Sequence, residues 1–94
     1  MKLLKITASD RIGKRFTAFF DIDGKTKKVH FGSEDGSTFI DHKDETKKEN
    51  YLKRHKVNER WDDPLTAGAL AKHLLWNKPT LSESIADFKV RFSV

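Results

Sequence analysis

The chain has 94 residues, 36% of them hydrophobic and 35% charged, with a net charge of +5 and no cysteine. That length supports one core, which buries about two-thirds of the surface the unfolded chain exposes, and leaves too little chain for a second. Without thiols there is no disulfide framework, thiolate metal site or cysteine nucleophile, and the positive balance favours an anionic partner.

The first third reads as β-structure. The opening KLLKITA is too short an apolar stretch for a signal peptide or a membrane span, so a soluble, intracellular and non-secreted protein is expected. It offers Leu4 and Ile6 as the inward residues of a first strand, followed by a turn between Ser9 and Gly13. In RFTAFFDIDGKTKKVHF, two alternating runs flank Asp23-Gly24, the pair best suited to a two-residue type I′ turn. A two-residue loop sets Ile22 opposite Lys25, Phe20 opposite Lys27, Ala18 opposite Val29 and Phe16 opposite Phe31. One face then carries Phe16, Ala18, Phe20, Ile22, Val29 and Phe31 as candidate core, and the other Arg15, Thr17, Phe19, Lys28 and His30. Three antiparallel strands are about the minimum for a stable sheet and need a cover.

Helices are expected to supply that cover. Asp41 with Asp44 reads as a helix start, and the helix is expected to run from His42 to about Asn58. Asp63 as cap and Pro64 in the first turn open a second helix, striped by Ala67, Leu70, Ala71, Leu74 and Leu75 and stopped by Pro79. A capping box of Thr80 with Glu83 opens a third, whose Leu81, Ile85, Phe88 and Phe92 align on one side. The expected fold is α+β: a three-stranded antiparallel N-terminal meander (residues 1–32) packed against about three C-terminal helices (residues 33–94), in one domain.

The chemistry of the chain turns on HKDETKKENYLKRHKVNERW, residues 42–61. On a helix this segment has little apolar surface beyond Tyr51, Leu52 and the ring of His55, while Asp44–Lys48 and Glu49–Lys53 are favourably ordered i, i+4 pairs. Three readings compete. As a solvated helix it needs no ligand. As a metal or hydrolytic site it would use His55 and Glu59 on one face, but HEXXH is absent and the other histidines lie on separate elements. As a nucleic-acid surface it would use Lys53, Arg54, Lys56 and Arg60, a patch flanked by His55 and Trp61.

The hairpin adds Lys25, Lys27 and Lys28, and places Phe19 across from Lys28 on the outer face. An aromatic beside lysines on a sheet can hold a single strand, unless a helix covers that face and Phe19 is core. Trp61 is expected to plug a helix corner, and Trp76 to be a core or interhelix residue. GSEDGST lacks the Lys-Ser/Thr ending of a phosphate loop, and Ser82 and Ser84 lack a GXSXG context. No catalytic residue, metal ligand or cofactor is expected.

Phe31-Gly32, Asp41-His42-Lys43-Asp44, Lys48, Tyr51, Arg54-His55, Glu59 and Trp61 form one constellation. Thr66-Ala67-Gly68, Leu74-Leu75-Trp76, Lys78-Pro79, Ser84-Ile85 and Phe92 continue it. From Val29 to Phe92 this pattern resembles a family of small proteins encoded by nucleocytoplasmic large DNA viruses, giant viruses among them. Lys47 and Ala71 depart from it, standing where arginine and serine are expected. The family lends no catalytic residues. The resemblance implies a viral setting inside the infected host cell and in the virion. Two jobs suit that setting: non-specific binding of DNA or RNA in genome handling or packaging, or assembly through contacts with other virion proteins. The candidate binding residues are Lys53, Arg54, Lys56, Arg60, Lys27 and Lys28, with no membrane partner.

Overall fold

A computed structural model describes residues 1–56 and 60–94. Its sheet is built on the turn at Asp23-Gly24, where φ is +53° and +82°, the paired positive values that a type I′ turn demands. The turn joins β2 (Lys14–Ile22) to β3 (Lys25–Ser33) in the expected register, Ile22 facing Lys25 and Phe16 facing Phe31. β1 (Lys2–Ala8) pairs with the other side of β2, giving the antiparallel order β1-β2-β3.

β1 departs from strict alternation. Leu3 faces Phe20 and Lys5 faces Phe19, so Leu4 is the extra residue of a β-bulge. The bulge exchanges the roles of the two leucines: Leu3 is 3% exposed and Leu4 49%, the reverse of a period-2 reading. Beyond the bulge Ile6 faces Ala18 and packs against the core, as expected.

The helical part starts earlier than expected and is more broken. Asp41 belongs to a separate short helix, α1 (Phe39–His42), where its carboxylate accepts from both the backbone N–H and the hydroxyl of Thr38. Lys43 then adopts φ +57°, a left-handed residue that ends α1. Asp44 caps the next helix, α2 (Glu45–His55), accepting from the N–H groups of Thr46 and Lys47. The expected end of α2 at Asn58 lies outside the described residues.

The second expected helix is also corrected. Asp63 accepts from the Leu65 N–H within a turn, and Thr66, not Asp63, caps α3 (Ala67–Leu70). α3 runs directly into a single π-helical turn, Ala71–Leu75. Gly32 (φ +79°) lets this turn approach the sheet, since a Cβ there would lie 2.9 Å from Leu75 Cδ1. α4 (Leu81–Phe92) is as expected, with Thr80 donating to Glu83 Oε1 and accepting from the Glu83 N–H.

The core lies between the inner sheet face and the C-terminal elements. Leu3, Ala18, Phe20 and Phe31 meet Leu70, Leu74, Leu75 and Phe88. Phe88 reaches Phe20 at 6.4 Å between ring centres, while Leu81, Ile85 and Phe92 are only half-buried. Phe16 and Val29, expected to be buried, sit half-exposed at the margin of this core. Buried Ser84 Oγ accepts from the Lys78 N–H, a structural duty at the entry to α4.

Candidate nucleic-acid interface

The outer sheet face presents a straight row across all three strands. Pairing sets Lys5 beside Phe19 and Phe19 beside Lys28. The Lys5 ammonium lies 4.7 Å from the centre of the Phe19 ring and that of Lys28 lies 5.5 Å from it, both within cation–π range. Phe19 stands outside the hydrophobic core cluster and is half-exposed. The next row is polar: Thr17 pairs with His30, whose Nδ1 lies 2.8 Å from the hydroxyls of both Thr17 and Ser9.

Lys27 and Lys28 are both exposed but point to opposite sides of β3, because Lys27 pairs with inward Phe20 and Lys28 with outward Phe19. Only Lys28 therefore joins the row. Alternation with Ile6 inward already turns Lys5 outward; its place beside Phe19 was missed because it depends on the β1–β2 register, which no two-residue turn fixes.

On α2, Lys53 and Arg54 are exposed, as are Lys56 just beyond it and Arg60. The expected patch is split. Lys53 and Lys56 share a cleft of about 270 Å³ with Glu49, Leu52 and Trp61. Arg54 lines another, about 260 Å³, with Lys47, Asn50, His42, Ser37 and Trp76. Arg60 lines neither. Lys47, Asn50 and Arg54 are spaced i, i+3, i+7, so this face was available from helical periodicity.

The i, i+4 ion pairs expected along α2 do not close among the described residues. Asp44 is occupied as the cap, and the Lys48 ammonium donates to the Asn77 carbonyl at 2.7 Å while lying 4.7 Å from the centre of the Phe39 ring. The apolar side of α2 rests on aromatic stacking. Trp76 lies parallel to Tyr51 at 4.3 Å (5° between planes), Tyr51 stacks on His55 at 4.2 Å, and His42 leans on Trp76 at 5.4 Å. Tyr51 thus fixes α2 to the Leu74-Leu75-Trp76 segment.

His42 Nδ1 accepts from the Asp44 N–H, which leaves the ring hydrogen on Nε2. That nitrogen is buried and finds no partner among the described residues, and Trp61 Nε1 shares this condition. The Lys72 ammonium lies 4.9 Å from the centre of the Trp61 ring, so the corner that Trp61 was expected to plug carries a cation–π contact.

Between sheet and helices the main polar tie is Arg15, which grips Asp41 through two bonds of 2.7 Å. Those bonds, the Thr38 donors and the guanidinium charge hold the Asp41 carboxyl far below the usual carboxylate range. His73 is buried, and burial pushes its pKa down despite its 2.9 Å bond to the Trp61 carbonyl. No group of three or more metal-ligating side chains converges among the described residues. The His55–Glu59 pair falls partly outside them.

Fold and surface define a small basic α+β domain with a lysine-flanked aromatic on an open sheet face. The chain belongs to the family of unknown function DUF5754, which it matches over residues 4–55. It is 34% identical over 80 residues to Uncharacterized protein L851 of Acanthamoeba polyphaga mimivirus, an alignment covering 78% of this chain and 80% of that protein. The relationship supports a viral origin. The family match takes in the N-terminal sheet, which the motif pattern beginning at Val29 did not reach. No solved structure matches the chain. No helix among the described residues is long and apolar enough to cross a membrane.

Proposed function

We propose that this is a small giant-virus protein that binds nucleic acid without sequence preference, acting inside the infected cell in genome handling or packaging. The Lys5–Phe19–Lys28 row carries the reading. A half-exposed aromatic ring gives a base a stacking surface that any sequence satisfies, and ammonium groups on both sides meet the flanking phosphates. Lys53, Lys56 and Arg60 supply further positive charge for phosphate contact at the end of α2. The net charge of +5 has the right sign to steer such a partner.

Fluorescence anisotropy with single-stranded DNA, RNA and duplex DNA over a salt series tests the proposal. Single strands should bind with affinity falling steeply as salt rises, and Phe19→Ala should weaken them more than duplex. Absence of binding at low salt, together with recovery of the protein in purified virions, would instead support an assembly role.

A further inference from the structure

We infer that the cleft between the helical part and the adjoining ends of β2 and β3 is a separate site for a nucleoside phosphate, with the base and the phosphate taken by two adjoining lobes. The first lobe, about 420 Å³, is walled by Gly32, Ala67, Gly68, Ala71 and Leu75, with the Tyr51–Trp76 stack at its side. The second is the 260 Å³ lobe of Lys47, Asn50 and Arg54. Ser37 and Trp76 line both, so the lobes meet there. Together they offer the room of a small-molecule pocket, which typically spans about 300–1,000 Å³.

The two lobes differ in the chemistry they suit. The first is lined mostly by small side chains and Leu75, with Lys14 its one cationic side chain among the described residues, and Tyr51, sandwiched between Trp76 and His55, can present only its ring edge. A planar base fits such a slot, edge to face against the aromatic stack. The second lobe offers the basic side chains of Lys47 and Arg54 and the Asn50 amide, all on one face of α2. His42 adds an Nε2–H, buried in its wall, for which the described chain supplies no acceptor. Among the described residues no acidic side chain lines either lobe, whereas the Lys53–Lys56 cleft has Glu49 in its wall. A group rich in anionic oxygens complements such a donor set, and phosphate is the oxyanion that comes joined to a base. The π-helical turn that forms the floor through Ala71 and Leu75 is an irregularity often found at functional sites.

The shared ligand chemistry is a nucleoside 5′-phosphate, free or at a strand end, and isothermal titration of the full chain tests it. AMP should bind saturably, with adenosine and inorganic phosphate each at least about tenfold weaker. Lys47→Gln with Arg54→Gln should reduce AMP binding to the level of adenosine. Ala67→Phe, at an exposed position on the first lobe, should weaken AMP about tenfold and leave inorganic phosphate unchanged. Melting curves establish that each variant folds; if Ala67→Phe does not, the α2 double variant decides. A 5′-phosphorylated oligonucleotide binding more tightly than both AMP and its unphosphorylated counterpart identifies a strand end, and AMP binding at least as tightly identifies a free nucleotide. Phe19→Ala should leave AMP affinity unchanged, so this site stands or falls apart from the sheet surface. No saturable AMP binding, or AMP binding indifferent to Lys47 and Arg54, overturns the inference.

Discussion

Phe19 and Phe20 are neighbours of identical chemistry on one strand, and they have different surroundings. Phe20 is fully buried, facing Leu3 across the bulge and Phe88 above it. Phe19 points the other way, half-exposed between two ammonium groups. The pleat alone makes the difference, since successive side chains leave a strand on opposite sides. The inner face supplies most of the stability, and the outer face carries, in Phe19 and its two lysines, groups that stability does not require.

The largest effect expected from this division is on the inner face. Phe31→Ala, at a fully buried position, should cost about 3–5 kcal/mol in urea denaturation, enough to leave so small a domain largely unfolded. Phe19→Ala should cost far less than Phe31→Ala in the same experiment. Its effect should appear in strand binding, where losing one stacked base is worth about 1–3 kcal/mol. Equal stability losses at the two positions would erase the distinction between the faces.

Arg15 sharpens the contrast, because this outward residue does contribute to stability. It ties the sheet to α1 through Asp41. Asp41→Asn should cost about 1 kcal/mol at neutral pH, since both carboxylate groups of bonds are weakened in a half-exposed site. The folded pKa of Asp41 is depressed, so the folded chain resists protonating it. Its contribution is therefore complete above the unfolded value of about 3.9 and is lost as pH falls through the folded value. Thermal melts of the two proteins should differ by a constant amount above about pH 5 and converge in acid. A gap that persists in strong acid would mean that the pair is not the source.

The smallest expected effect lies with the lysines of the row. Lys5→Gln and Lys28→Gln should each leave the melting temperature nearly unchanged. Each should flatten the slope of log affinity against log salt for single strands by about one unit. Unchanged slopes in both would remove the phosphate contacts from the sheet and leave α2 as the place to look.

What could be read from the sequence follows the range of the interactions concerned. The β2–β3 register was legible because Asp23-Gly24 fixes the loop at two residues and everything beyond follows by counting. The cap at Thr80 was legible for the same local reason. Leu4 was misplaced because a bulge leaves no mark on a hydrophobic pattern and reveals itself only in the pairing. The start of α2 was placed too early because Thr38–Asp41 and Asp44 are two successive capping signals, separated only by the left-handed turn at Lys43. The expected second helix was broken by a turn at Asp63 and a π-helical insertion whose residues favour an ordinary helix as readily. Tyr51 and His55 are four apart on α2 and could be paired from helical spacing, but Trp76 joins the stack from a distant part of the chain, which no local rule could have shown.

The sheet order β1-β2-β3 is also the order of the strands along the chain, and this has a consequence for the route of folding. Each pairing closes a short loop, one between Ala8 and Lys14 and the other at Asp23-Gly24, so little chain entropy is spent in reaching it. Hairpins of this kind form in about 1–10 μs, whereas Phe88 must return across most of the chain to meet Phe20. The meander is therefore expected to be substantially formed in the transition state and α4 to dock afterwards. In stopped-flow experiments, Ala18→Gly should mainly slow folding and Phe88→Leu mainly hasten unfolding. The reverse pattern would place the nucleus in the helices.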